Sequence, residues 1–591
     1  MCGIHLIWGK NANEDSIREM MRQSHHRGPD QEETFSPWPG LWIGVNRLKI
    51  IHPGQEADQP FSSEDGKSLL LWNGEIYNHK ALKSLLSKMG VEFQTESDTE
   101  VLLHWIRLFG SEGLNKLEGM FAFIYVDLTN KSLLVGRDRN GEKPLYYSQN
   151  QDRLILSSEA IAINTQTKSP IDENQWEHFF YNRSPLLGNT FFKGIKEWKP
   201  SRFSQIFQHS TFRWDNIALP ASKELAQNKE SFKSLLEQVV QEQFHADVPV
   251  GMMMSGGADS SLLYATWYQQ TGVELPAFTL QVEQKYRKKY SDADAARELI
   301  KKVPAQHHLV SVDQDVFWEN WEEYLSSVDF PIGDSAGFLT WLIGKEAKKS
   351  VKVMITGAGA DELWGGYQRH QAFDYYLNNY HWIRKIRPLL QYLPLNRSYA
   401  KFLNSISDSA NKTFQNFAAL RPISDDLAMD SERNFNSQLS SYKRVLDFDR
   451  QQYLVQDVLK INDQLLMAQG LEGRAPYLDQ KMLSFWMDIK TDSFLKKKQW
   501  IRELLNESGL ESISKRKKMG FGLPLQEWFA ERGEFSKRVF HSIKAFEASH
   551  GKSFPKGMRE LAKNPESGIK NYFLELYNLF LLAEWVKLRK L

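Results

Sequence analysis

The stretch that most constrains this fold is Met254-Ser255-Gly256-Gly257-Ala258-Asp259-Ser260-Ser261, which follows an apolar run from Val248 to Met254 and precedes Leu262-Leu263-Tyr264-Ala265. An apolar run, two glycines and a resumed apolar pattern predict a buried strand, a tight turn and a helix start. The glycines let the backbone close on a ligand with no Cβ between them, and Ser260 and Ser261 stand where a helix N-terminus aims free N–H groups at an anion. Asp259 would repel a bare phosphate and suits one that carries Mg²⁺. Two glycines alone fit any strand-to-helix turn; the Ser, Asp and Ser around them point to phosphate. A Walker-type loop needs a lysine after its glycines, and none follows here.

With 591 residues the chain exceeds one hydrophobic core, and about two to four domains are expected. Lys+Arg number 74 and Asp+Glu 73, a net charge of +1, so no general attraction to nucleic acid or to an anionic membrane is expected. The apolar run Leu579 to Val586 is cut by Glu584, and no stretch has the length that spans a bilayer. No signal-like segment is seen, and one cysteine allows no internal disulfide, so a cytoplasmic location is expected. That cysteine is residue 2. If Met1 is removed, Cys2 carries a nucleophilic thiol and, in its own α-amine, a group able to take the thiol proton.

Beside Cys2 stand His26-Arg27-Gly28-Pro29-Asp30, Asn46-Arg47-Leu48, Asn73-Gly74-Glu75-Ile76-Tyr77-Asn78, Ser97-Asp98-Thr99-Glu100, Gly119-Met120-Phe121-Ala122-Phe123 and Gly136-Arg137-Asp138-Arg139. In order and spacing they resemble class II glutamine amidotransferase domains, over Cys2 to about residue 205. The resemblance implies an N-terminal-nucleophile αββα sandwich in which Cys2 attacks the glutamine amide, while the Asn73 side chain and the Gly74 N–H form the oxyanion hole. It also implies that Arg47 pairs with the α-carboxylate of glutamine and that Asp98 and Glu75 meet its α-ammonium, as charge-assisted donors and acceptors would. Taken singly, Arg47 also reads as a surface ion pair, and Asp98 as the cap of a helix beginning near Glu100.

A polar, proline-containing stretch runs from Ala162 to Pro170, an aromatic one from Phe179 to Trp198, and linker composition from Ala221 to Lys229. Helical spacing resumes at Phe232, Leu235, Leu236 and Val239. Ala277–Val282, His308–Val312 and Val351–Thr356 read as further buried strands with helices between them, which predicts a parallel α/β sheet with ligands at the C-terminal strand ends. Such an end carries Thr356-Gly357-Ala358-Gly359-Ala360-Asp361-Glu362-Leu363-Trp364-Gly365-Gly366-Tyr367. Leu471 to Asp479 and the basic run Lys515 to Lys518 follow.

The first loop resembles the pyrophosphate loop of ATP pyrophosphatases, and all these segments together resemble the glutamine-hydrolysing asparagine synthetase family. The resemblance implies an amidotransferase domain over 1–208, a linker over 209–229, and an ATP-pyrophosphatase domain over 230–591 with a helical extension. It implies an ATP and pyrophosphate site built from Ser255, Gly256, Gly257, Asp259, Ser260, Gly357 and Asp361. Asp259 and Asp361 would hold Mg²⁺ carried with ATP, and Lys517, or its neighbour Lys518, would neutralise the departing pyrophosphate. The expected small-molecule partners are glutamine, aspartate and ATP, and a homodimer is allowed. The family has an acid where this chain has Ala358, so either Glu362 or another carboxylate takes that role, or the acceptor is not free aspartate. A sugar uronate or a peptide carboxylate is the alternative acceptor. A tRNA-modifying ATP pyrophosphatase fits less well, because the net charge is small and paired cysteines are absent.

Overall fold

The computed structural model describes residues 2–207, 212–219, 225–390, 397–432, 435–517 and 520–590. Two antiparallel sheets of six strands form the N-terminal half. The first runs Lys196–Glu197, Tyr146–Gln149, Arg153–Ser157, Cys2–Gly9, Leu41–Arg47, Gln31–Trp38; the second runs Asp215–Asn216, Arg202–Phe207, Ser132–Arg137, Gly119–Asp127, Ser68–Ile76, Phe61–Ser62. The two-residue period of the strands decides what each sheet covers. Along Cys2–Gly9, Cys2, Ile4 and Leu6 pack between the sheets with Ile43, Val45, Leu71 and Ile124. Ile7 turns the other way, onto Ile17 and Met20 of the helix Glu14–Gln23. Helix Asp98–Phe109 packs on the outer face of the second sheet through Val101, Leu102 and Trp105. Helix, sheet, sheet and helix give the expected αββα sandwich.

The C-terminal half is built on a parallel five-stranded sheet ordered Gln306–Val312, Pro276–Val282, Val250–Met253, Val353–Ile355, Glu472–Arg474. The first four coincide with the apolar runs. The fifth has no apolar residue, and it is a strand because Glu472, Gly473 and Arg474 pair in register with Val353, Met354 and Ile355. Both faces are covered, as an all-parallel sheet requires. Val353 and Ile355 face the helices Lys229–Gln243 and Ala258–Thr271, whereas Met354 faces the buried helix Ala336–Ala347.

The halves share one core. Trp176 on helix Asn174–Asn182 lies 5.4 Å from Phe546, and Phe191 lies 5.8 Å from Trp585 of the C-terminal helix Phe573–Arg589. The aromatic stretch from Phe179 to Trp198 is therefore what the last helices grip. Among the described residues no helix is long and apolar enough to cross a membrane.

Candidate functional site

Strand register assembles the first cluster. Cys2 is the direct antiparallel partner of Arg47, so both lie at one end of the same sheet. Cys2 is buried, and its backbone nitrogen donates to Asn73 Oδ1 at 3.0 Å across the gap between sheets. The other half of that amide, Asn73 Nδ2, is buried with no hydrogen-bond partner among the described residues. An orphaned buried donor is costly, and this one belongs to the amide that holds the backbone of Cys2. Gly74 stands opposite Phe121, and a Cβ there would come within 2.2 Å of the Met120 carbonyl oxygen. His5 faces away from Cys2 on the strand, between Ser157 Oγ at 3.0 Å and Asn46 Oδ1 at 3.2 Å, and burial pulls its imidazole down to about 4. It is not placed to take the thiol proton.

Arg47 is no surface ion pair. Its buried guanidinium donates to Asp58 at 2.5 Å, the Gly54 carbonyl at 3.2 Å and the His52 carbonyl at 3.1 Å, which uses three of its five N–H groups. Asp98 is the first residue of its helix rather than the cap: Ser97 caps, and Asp98 Oδ2 accepts from Ile76 N at 3.1 Å. Burial pushes the Asp98 carboxyl up. Glu75 is engaged from the other half of the molecule, by Arg474. Arg474 also donates to Glu472 at 2.7 Å and to the carbonyls of Gln243 and His245. One guanidinium thus serves two buried carboxylates. Burial and the charge of Glu472 push Glu75 well above its ordinary range, while Arg474 outweighs burial at Glu472 and holds it at about 2.

Two residues of this cluster escaped the sequence reading of roles. Gln59 Nε2 donates to the Cys2 sulfur at 3.6 Å, and its Oε1 accepts from Trp72 N at 2.8 Å. A lone Gln before a proline carries no signal of this. Arg27, inside a motif already singled out, donates to the Cys2 carbonyl at 3.3 Å and to Asp463 of the C-terminal half at 2.8 Å.

The second cluster gathers at the C-terminal ends of the parallel strands. Gly256 has φ +62°, and a Cβ on it would lie 2.5 Å from the Ala296 nitrogen. Gly257 begins the helix Ala258–Thr271 without a side-chain cap, which leaves first-turn N–H groups for a ligand. Ser255 Oγ accepts from Gly257 N at 3.2 Å and lies 3.4 Å from Ser260 Oγ. The loops touch at Gly357, where a Cβ would meet that of Asp259 at 3.0 Å.

Asp259 and Asp361 converge on one cation, Lys498, whose Nζ is 2.5 Å from an oxygen of each. Burial lowers the Lys498 ammonium pKa against the pull of Asp259. Lys498 holds φ +58°, its N–H bonded to the Trp364 carbonyl at 2.8 Å, so backbone and side chain are both fixed. Gly366 leaves the pair room, since a Cβ there would sit 2.1 Å from Lys498 Cε and 1.8 Å from Asp361 Oδ1. The sequence reading missed Lys498, which looks like one of three solvated lysines at 496–498. Asp259 Oδ1 is buried without a hydrogen-bond partner among the described residues. Two converging carboxylates with a spare buried oxygen offer hard oxygen donors of the kind Mg²⁺ takes. No group of three or more His, Cys, Asp or Glu among the described residues could hold a metal unaided.

Arg516 grips the first glycine loop from outside, donating to the carbonyls of Ser255 at 3.3 Å and Gly256 at 3.1 Å and to Asp292 at 2.9 Å. Lys517 beside it is exposed, and Lys518 lies outside the described residues. Ala358 contributes only a methyl group. Glu362 is buried, accepts from the Tyr367 hydroxyl at 2.5 Å and is pushed up by burial. The two clusters are joined through Arg474, whose carbonyl accepts from Thr356 N at 2.9 Å at the start of the second glycine loop while its side chain reaches Glu75.

Comparison with known proteins agrees with both halves. Residues 1–214 match the glutamine amidotransferase domain family and residues 231–587 the asparagine synthase family. Asparagine synthetase [glutamine-hydrolyzing] 1 of Bacillus subtilis is 27% identical, over 91% of this chain and 90% of its own length. Putative asparagine synthetase [glutamine-hydrolyzing] 2 of Methanocaldococcus jannaschii is 30% identical, over 69% of this chain and 83% of its own. The chain belongs to the asparagine synthase family, with a glutamine amidotransferase domain at its N-terminal end.

Proposed function

We propose that this chain moves the side-chain nitrogen of glutamine onto an ATP-activated carboxylate, with aspartate the first acceptor and asparagine, glutamate, AMP and pyrophosphate the products. The observation that carries this reading is the strand Glu472–Arg474, which ties Glu75 of the thiol site to Thr356 of the phosphate site.

In the first site the Cys2 thiolate attacks the glutamine amide carbon, the C–N bond breaks, and ammonia leaves with the thiol proton. Water then cleaves the thioester to glutamate. Asn73 Nδ2 and the Gly74 N–H stabilise the oxyanion, Arg47 orients the α-carboxylate, and Asp98 meets the α-ammonium. Glu75, shared with Arg474, makes its second contact there. In the second site an acceptor carboxylate oxygen attacks the α-phosphorus and pyrophosphate departs. Ammonia then attacks the acyl carbon and AMP leaves. Ser255, Gly256, Gly257, Ser260 and Gly357 cradle the phosphates, and Lys498 and Lys517 offset their charge. Asp259 and Asp361 would hold Mg²⁺, which would supply further charge neutralisation when bound with ATP. We place the division between halves in residues 209–229.

Purified protein is expected to release pyrophosphate and form asparagine from aspartate, glutamine and ATP. Cys2→Ala is expected to lower glutamine-dependent synthesis by on the order of 10⁴-fold and to leave synthesis from added ammonia intact. Loss of both activities in a folded variant would overturn the two-site reading. One observation favours a second acceptor: Ala358 offers no charge and Glu362 is bound by Tyr367, which suits a carboxylate without an α-ammonium, such as a sugar uronate or a peptide. A screen of acceptors by pyrophosphate release separates the two.

A further inference from the structure

The two most exposed large apolar side chains among the described residues are Trp382, 71% exposed, and Tyr399, 64% exposed. Neither belongs to either site. Trp382 lies on the helix Gln368–Leu390, where Tyr375, Asn378, His381, Trp382 and Lys385 form an exposed stripe at helical spacing. The opposite stripe of Phe373, Tyr376 and Ile383 is buried with Phe414 and Phe448. The helix has therefore satisfied its inward face and still presents a tyrosine and a tryptophan to solvent. Tyr375 lies 6.0 Å from Phe402 of the helix Arg397–Ser405, which also carries Tyr399, so the aromatic groups form one patch over two helices.

The sequence of these helices is also segregated in charge, and of its basic residues Lys385 and Lys401 are exposed. From Tyr375 to Ser407 the sequence has no Asp or Glu, and it has Arg384, Lys385, Arg387, Arg397 and Lys401. That is a concentrated excess in a chain whose net charge is only +1. Exposed Lys385 sits with its Nζ 5.9 Å from the Trp382 ring centroid. Tryptophan and tyrosine favour the headgroup level of a bilayer, where the ring is sheltered and its polar edge stays wet, and clustered lysine and arginine are drawn to anionic lipid. An acidic protein would answer the charge, but a lipid interface answers both the charge and the unsheltered rings.

We propose that the outer face of the helices Gln368–Leu390 and Arg397–Ser405 docks this protein on an anionic membrane surface, with the longer helix lying against the headgroups. Gln368 directly follows Tyr367 of the second glycine loop, so Trp382 stands about 20 Å along the helix from the phosphate site. The proposal holds whichever carboxylate the enzyme amidates.

Flotation of the full chain with vesicles tests it. The chain is expected to float with phosphatidylcholine–phosphatidylserine vesicles at least about tenfold more than with phosphatidylcholine alone, and added salt is expected to release it. Trp382→Ser and Lys385→Glu should each cut flotation severalfold while leaving ammonia-dependent synthesis and circular dichroism unchanged. Failure of the unaltered chain to float, or flotation of both variants at its level, would overturn the proposal. So would variants that change only the oligomeric mass, which would assign the patch to a second copy. Retention on immobilised polyglutamate without flotation would assign it to an acidic protein and overturn it equally.

Discussion

The thiol site and the phosphate site are assembled by opposite means. Cys2, Arg47, Asn73 and Gly74 sit on three antiparallel strands, and the pairings that build the sheets also set the site: Cys2 against Arg47, Gly74 against Phe121. A slip of one residue would turn Cys2 to the other face of its sheet. The phosphate site draws on positions from Ser255 to Arg516, brought together because parallel strands release their loops at one edge. No backbone pairing joins Asp259 to Asp361; the Lys498 ammonium does. Register fixes Cys2 against Arg47 in the first site and the Asn73 side chain bridges its two sheets, whereas the second depends throughout on single side chains reaching across long loops.

That contrast breaks most visibly at Lys498. Lys498→Ala leaves Asp259 and Asp361 facing each other without a cation, and removes a fixed positive charge where the proposed reaction forms pyrophosphate. Synthesis from glutamine and from ammonia should both fall by about 10³-fold, read as pyrophosphate release, with glutamine hydrolysis unchanged. An equal fall in hydrolysis would show that the two sites are not separable. The corresponding change in the other half is smaller. Asn73→Ala removes the proposed oxyanion donor and the acceptor for Cys2 N, and should lower glutamate release by about 10²-fold with ammonia-dependent synthesis intact. Hydrolysis within a few-fold of the unaltered chain would mean that the buried Nδ2 faces no developing charge.

The same contrast explains what the sequence could tell. Local signals are enough for the Ser255–Ser261 turn and for the four apolar parallel strands, because each is a short run with a period of its own; the segments beside Cys2 are legible only through their resemblance to a known family, since Cys2 meets Arg47 and Asn73 from far along the chain. Arg474 lies inside the segment Leu471 to Asp479, yet its partner is Glu75, and no spacing rule links residues so far apart. Lys498 was hidden by Lys496 and Lys497, since burial distinguishes it and composition does not. The strand Glu472–Arg474 was missed for a related reason: its charged residues are satisfied by each other and by the first half, so it shows no apolar alternation.

The smallest expected effect lies at the seam between the two regions. Asp329 belongs to the C-terminal half by sequence, yet it accepts from Ala160 N at 2.6 Å and Ile161 N at 2.8 Å at the start of the helix Ala160–Thr167. Burial, and then the charge of Glu159, push its carboxyl up to about 7. Glu159 keeps its own charge, at about 2, because His26 and Arg27 outweigh its burial. In the unfolded chain Asp329 ionises near about 3.9. Between about 4 and 7 the folded protein therefore holds a proton that the unfolded chain has lost, and stability falls as pH rises through that window, by up to about 1.4 kcal/mol per pH unit. Above the folded pKa this contribution is flat. Asp457, also near 7 through burial and 3.9 Å from Arg183, adds a parallel share. Asp329→Asn should lower the thermal midpoint modestly through the lost acceptor and flatten its decline with rising pH, because asparagine has no proton to release. If the unaltered chain and Asp329→Asn lost stability in parallel from mildly acidic to neutral pH, the seam would not titrate through Asp329, and the two halves would be joined by packing and fixed ion pairs such as Arg27–Asp463 alone.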